Sequence, residues 1–201
     1  MRHPSNIQEL VRLKPDYIGF IFYPESKRYI GTRIPEEVQA MIPVYIKKVG
    51  VFVDEPFGEL LEKFRDNRLD MVQLHGSELP DYCERVKKLG IPIIKVFSIS
   101  ADFDFEAVRP FEAYCDYYLF DTAGVQRGGT GIKFDWEKLD QYVGNKPFFL
   151  SGGIRPTDIA RIKGIFHKQL HAIDLNSGFE TEPAIKHIPK LKVFLEGVRS
   201  L

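Results

Sequence analysis

Cysteine is scarce in this 201-residue sequence, which has only two, Cys83 and Cys115. They show no metal-type spacing, which fits a reduced, cytosolic setting with both as half-buried helix residues. Net charge is absent as well: Lys+Arg and Asp+Glu both number 28. No overall basic field exists to attract nucleic acid, so any anion must be held by a local site. No apolar run approaches the roughly 20 residues that a membrane span needs. Met1-Arg2-His3-Pro4-Ser5-Asn6 lacks the apolar stretch of a signal peptide. No compositional break or low-complexity linker divides the chain. What remains, 44% hydrophobic and 28% charged, is ordinary globular composition. It suits one domain over residues 1–201.

Short β-branched and aromatic runs recur at Tyr17–Tyr23, Lys48–Val53, Met71–His75, Ile91–Ile99, Tyr117–Asp121, Pro147–Ser151 and His171–Asn176. They are nearly continuous in apolar character, as strands of a parallel sheet covered on both faces are. Amphipathic stretches with helix-start signals lie between them. Pro35-Glu36-Glu37 puts proline and acids in a first turn, Pro56 and Ser77-Glu78 lead into two more, and Gly90 stops the second of these. Pro156-Thr157-Asp158 opens another, and Ile185–Gly197 reads as the last helix. Ile7–Leu13 reads as a helix that comes before any strand. Seven strands with eight helical segments correspond to eight βα units less the first strand. This predicts an α/β fold, a (β/α)8 TIM barrel with its first strand largely missing from this chain. An open doubly wound sheet is the alternative that periodicity leaves open.

In a barrel, the loops after the strands form the active face. Arg28 follows the first run in Ser26-Lys27-Arg28-Tyr29, where its guanidinium fork suits a carboxylate or phosphate; a solvated basic turn is the plainer reading. His75 ends Gln73-Leu74-His75 and reads as an acid–base group, a ligand donor or a structural histidine. Asp121 ends a strand, where burial would raise its pKa toward that of a working general acid. The loop behind it, Gly124–Gly131, has four glycines in eight residues and suits either a moving, ligand-touching segment or a plain flexible one. Ser151-Gly152-Gly153 and Asp174-Leu175-Asn176-Ser177-Gly178 follow the last two strands. In this architecture, that position commonly binds phosphate through backbone N–H groups.

Together these segments resemble the phosphoribosylanthranilate isomerase family. Gly19–Ile30, Val49–Val53, Val72–Gly76, Phe120-Asp121-Thr122, Gly128–Gly131 with Phe134-Asp135-Trp136, Leu150–Gly153 and Asp174–Gly178 match in the family's order over essentially the whole chain. The resemblance implies the eight-stranded barrel and a cofactor-free, metal-free Amadori rearrangement in tryptophan biosynthesis. N-(5-phosphoribosyl)anthranilate becomes 1-(2-carboxyphenylamino)-1-deoxyribulose 5-phosphate. A general acid opens the furanose ring to a Schiff base; a general base then takes the C2 proton, and the enolamine tautomerises to the ketone. By position, Asp121 is the acid and Arg28 holds the anthranilate carboxylate. His75 positions the ligand, and Gly129, Thr130 and Gly131 belong to the glycine-rich substrate loop. Gly152, Gly153, Asp174, Asn176, Ser177 and Gly178 belong to the phosphate side. The implied partner is a small phosphosugar, with no nucleic acid and no membrane, for a cytoplasmic monomer or homodimer.

The family's base is a cysteine in a Cys-Gly pair at the end of the first strand, and Met1-Arg2 aligns with the two residues just past that pair. The chain as given is therefore expected to be impaired, because Cys83 and Cys115 fall on helices away from the strand ends. The alternative function is a non-catalytic phosphosugar-binding barrel that has lost this base. A different phosphate-binding barrel, an epimerase or indole-glycerol-phosphate synthase, lacks support, since its metal-ligand or catalytic-lysine pattern is not seen.

Overall fold

A computed structural model describes residues 1–121 and 136–199. Helix α1 (Pro4–Val11) leads to β1 (Tyr17–Ile21), α2 (Glu36–Met41), β2 (Lys47–Phe52), α3 (Phe57–Asp66), β3 (Met71–Leu74), α4 (Pro80–Lys87), β4 (Ile93–Ser98) and β5 (Tyr117–Asp121). Then come β6 (Phe148–Ser151), α5 (Ile159–Lys163), β7 (Leu170–Ile173), a hairpin of β8 (Glu180–Glu182) and β9 (Ile185–Lys186), and α6 (Ile188–Arg199). Proline opens α1 and α4 at their first positions, where its missing N–H costs nothing. Glu59 in the first turn of α3 and Lys63 and Arg65 in the last complement the helix dipole.

Strands β1 to β7 form one parallel sheet in sequential order. A doubly wound sheet would break that order at a switch point, so the open-sheet alternative is excluded. The sheet curls until the Tyr17 hydroxyl of β1 lies 2.7 Å from His171 Nε2 beyond six strands. Successive side chains alternate between its faces. Val49, Met71, Ile94, Val96, Leu119 and Phe149 pack inside the curl. Ile18, Phe20, Val72, Leu74, Phe120 and Leu150 join the larger core beneath the helices. No helix among the described residues is long and apolar enough to cross a membrane.

Two expectations change, and one helical segment takes a tighter form. Ile185 and Lys186 form β9 rather than the start of the last helix, which begins at Ile188. The segment after β4 is a 3₁₀ helix, Phe105–Phe111, with Pro110 inside it, where proline has no N–H to give to an α-helical ladder. Cys83 does sit on α4, but Cys115 precedes β5 outside any helix, and both are buried rather than half-buried.

Between β1 and β7 no backbone ladder runs, and side chains do the joining. The Asn6 amide donates to the Lys186 carbonyl at 2.9 Å and accepts from the Lys186 N–H at 2.7 Å. Arg199 donates to the carbonyls of Leu13 and Lys14 at 2.8 and 2.6 Å. Asn6 is 9% exposed, so its loss would strand a backbone donor and acceptor away from water. Asn6→Ala is expected to lower stability by about 1–3 kcal/mol. Urea unfolding should show a lower midpoint at unchanged slope; an unchanged midpoint would mean that water replaces the amide fully.

Candidate active site

The predicted residues converge on the C-terminal ends of the strands. The segment after β1 turns back on itself: Ser26 N–H bonds to the Tyr23 carbonyl at 3.0 Å, and the Ser26 hydroxyl accepts from Arg28 N–H at 3.1 Å. Ile30 N–H then returns to the Ile21 carbonyl at 3.0 Å. Arg28 is thus presented beside the mouth of the curl. Its Nε donates to both oxygens of Glu180, at 3.0 and 2.9 Å, and Nη2 donates to Oε2 at 2.5 Å.

Glu180 and Lys186 are site residues that the sequence reading missed. Lys186 Nζ donates to Glu180 Oε1 at 3.1 Å and to Asn176 Oδ1 at 2.8 Å. Burial works against the Glu180 charge, but the hydrogen bond from Arg28 and the attraction of Lys186 hold its carboxyl below the usual range. Burial pulls the Lys186 ammonium below the ordinary lysine value against the pull of Glu180 and Asp174. Both residues lie on the β8–β9 hairpin, 152 positions or more from Arg28, and no local pattern could have paired them.

Asp121 is the last residue of β5, as read from the sequence, in register with Ser98 on one side and Ser151 on the other. Its Oδ2 lies 3.7 Å from His75 Nε2. His75 follows β3, and its Nδ1 is 3.1 Å from the Gln73 amide. The loop carrying it is fastened from below by a buried pair. Lys95 Nζ reaches Glu78 Oε2 and the Gly76 carbonyl, each at 2.8 Å. Glu78 in turn accepts from the Gly76 N–H at 3.0 Å and the Asp54 N–H at 2.9 Å. The polar interruption of the apolar fourth run was the available signal for this pair.

After β6, Gly152 and Gly153 take φ of +95° and +63°, a left-handed region that other residues rarely enter. The turn after β7 packs directly on this one: a Cβ added at Gly178 would come within 2.2 Å of the Ile154 carbonyl oxygen. The two glycine turns therefore lie directly against each other at the ends of the last two strands of the sheet. Asp174 accepts from the Ser151 hydroxyl at 3.2 Å. Burial raises its pKa, against the lowering influence of Lys186 and Ser151 and reinforced by Asp121. Gly129, Thr130 and Gly131 lie outside the described residues. Neither cysteine joins the cluster, since Cys83 is on α4 and Cys115 precedes β5 at its other end.

The model of the family N-(5'-phosphoribosyl)anthranilate (PRA) isomerase matches residues 1–197. The N-(5'-phosphoribosyl)anthranilate isomerase of Parabacteroides distasonis is 46% identical over 200 residues, covering 98% of this chain and 90% of its own. A solved phosphoribosyl anthranilate isomerase from Thermotoga maritima superposes with a TM-score of 0.85 at 29% identity, over 100% of this chain and 96% of that one. Another phosphoribosyl anthranilate isomerase, solved in complex with reduced 1-(o-carboxyphenylamino)-1-deoxyribulose 5-phosphate, gives 0.82 at 27% identity with the same coverage.

The raised pKa of Asp174 fixes a sign for its effect on stability. Below the ordinary carboxylate pKa it is protonated folded and unfolded alike; above its raised value the fold must carry a charge in a half-buried, poorly solvated position. Its favourable contribution is thus present at low pH and lost as pH rises through that value. Asp174→Asn is expected to be more stable than the parent at pH 7, with the gain shrinking as pH falls toward about 4. Thermal unfolding across this range checks it; a gain of equal size at both ends would show that charge is not the cause.

Proposed function

The chain belongs to the N-(5'-phosphoribosyl)anthranilate isomerase family, its function is that isomerisation in tryptophan biosynthesis, and we propose that Asp121 is the acid that opens the substrate's ring. The observation that carries this reading is the position of Asp121: a half-buried carboxylate ending β5, 3.7 Å from His75, with the glycine turns beginning on the adjoining strand. A proton held there can reach a furanose oxygen only if the phosphate end of the sugar is fixed nearby. The Gly152–Gly153 and Ser177–Gly178 turns supply that anchor through backbone N–H groups. Ring opening leaves a Schiff base; transfer of the C2 proton to a general base, in the family a cysteine, gives the enolamine, which tautomerises to the ketone.

His75 lies beyond hydrogen-bond range of Asp121, so it does not hold the carboxylate in a fixed pair. Its part is to line the wall against which the sugar lies, with Gln73 fixing its ring. Arg28 takes the anthranilate carboxylate, and the glycine-rich loop that includes Gly129, Thr130 and Gly131 closes on the ligand. The buried thiols of Cys83 and Cys115 suit a reducing compartment, and the reaction is assigned to the cytoplasm, in a monomer or homodimer. The family match and the isomerase relatives do not favour a non-catalytic binding barrel.

Asp121→Asn keeps the shape of the side chain and removes its acid. Turnover is expected to fall by about 10²–10⁴-fold, the usual contribution of a general acid, with phosphate affinity within a few-fold of the parent. Parental turnover would leave Asp121 a structural role only. In a protein that carries the family's base cysteine, Arg28→Ala is expected to weaken transition-state stabilisation by roughly 2–5 kcal/mol, and Arg28→Lys not to restore it, because an ammonium is a point charge. Unchanged kcat/KM in the alanine variant would remove Arg28 from the site.

A further inference from the structure

An arginine can offer a planar carboxylate two forks, one made by Nε and Nη2 and one by Nη1 and Nη2. In Arg28 the first fork is filled, since both Nε and Nη2 donate to Glu180. Among the described residues Nη1 has no protein partner. The guanidinium therefore keeps one usable fork, and the plane and direction of that fork are set by Glu180.

Glu180 is itself fixed. Its side chain is 5% exposed against 24% for Arg28, and its Oε1 accepts from Lys186 Nζ at 3.1 Å and from the Ala184 N–H at 3.3 Å. Lys186 Nζ also holds Asn176, which directly precedes the Ser177–Gly178 turn. One run of hydrogen bonds thus joins the carboxylate-binding arginine to the turn assigned to phosphate. A buried negative charge beside a receptor for an anion would otherwise oppose binding, so its presence needs a compensating gain. Fixing a long, rotamer-rich arginine before the ligand arrives is such a gain.

We propose that Glu180, anchored by Lys186, is a positioning residue that aims the open fork of Arg28 at the substrate's anthranilate carboxylate and sets its distance from the phosphate turn. The proposal rests on the reading of Arg28 as the carboxylate holder and adds the residue that makes it selective. Two opposite effects are separated by Glu180→Gln. If repulsion between Glu180 and the ligand dominates, the variant binds more tightly; if aiming dominates, it binds more weakly, and only for a ligand that carries the carboxylate.

The test measures binding by calorimetry of reduced 1-(o-carboxyphenylamino)-1-deoxyribulose 5-phosphate and of its anilino counterpart without the carboxylate. The parent protein is expected to prefer the first ligand. Glu180→Gln is expected to bind that ligand about tenfold or more weakly, and the second within about twofold of the parent. Equal weakening of both ligands would mean general loosening, and unchanged or tighter binding of the first would mean that aiming is not needed; each result overturns the proposal while Arg28 keeps its role. No preference for the carboxylate in the parent would overturn the reading of Arg28 and the proposal with it. Should Glu180→Gln fail to fold, Glu180→Asp keeps the charge but draws it back from Arg28, and the same pair of ligands reads the same outcomes.

Discussion

The structure depends on how the two outer strands of its curled sheet are held face to face. β1 and β7 share no ladder, so the usual source of barrel closure is missing between them. Of four side-chain ties across this gap, Tyr17 on His171 links the two strands directly, and Asn6 on Lys186, Arg28 on Glu180 and Arg199 on the Leu13 and Lys14 carbonyls link the segments beside them. Each spans 152 residues or more. Loop closure grows only slowly costlier with length, so ties this distant in sequence cost little more than nearer ones would. Three of the four end on Lys186, Glu180 or α6, which makes the C-terminal hairpin and helix the clasp of the fold.

The clasp is also part of the site, and this explains the concentration of charge there. Arg28, Lys186, Glu180 and Asp174 lie close enough to perturb one another, and burial opposes ionisation in the last three. Glu180 keeps its charge because two cations donate to it directly. Among the described residues Asp174 accepts from a serine hydroxyl at 3.2 Å and feels the more distant pull of Lys186 and His75, so there burial wins and its pKa rises. The difference between the two carboxyls comes from the number and charge of their donors. A net positive lobe at Arg28 and Lys186 therefore faces a site in which the acids are either neutralised by partners or disposed to take up a proton, as an anionic ligand requires.

Sequence reading recovered the ends of the first six strands within two residues, and the Tyr117–Asp121 strand to its true ends, while β7 stops at Ile173, three residues before the Asn176 that was expected. The positions of Asp121, His75 and the two glycine turns were legible because each ends an apolar run or directly follows one. The β8–β9 hairpin was not, because Ile185-Lys186 is too short to show alternation and runs into an apolar helix. The partner of Arg28 was hidden for a different reason. A guanidinium announces that it will meet an anion, but its spacing does not say whether the anion belongs to a ligand or to the chain. Here the chain's own anion, Glu180, occupies one fork of Arg28.

The opposite wall of the site repeats the same construction. Lys95 and Glu78, with side chains 4% and 2% exposed, form a pair that touches no assigned ligand group. Two buried charges are rarely kept for stability alone, because removing both from water costs nearly what their attraction returns. What this pair does hold is backbone: Lys95 fixes the Gly76 carbonyl, and Glu78 takes the N–H groups of Gly76 and Asp54. Those bonds pin the chain one residue past His75, so the imagined loss of the pair would free the imidazole before it unfolded the barrel. On one wall a lysine and a glutamate fix a guanidinium, and on the other a lysine and a glutamate fix an imidazole. A mouth built from loops, which apolar packing alone would leave loose, is tied on both sides by a buried lysine–glutamate pair.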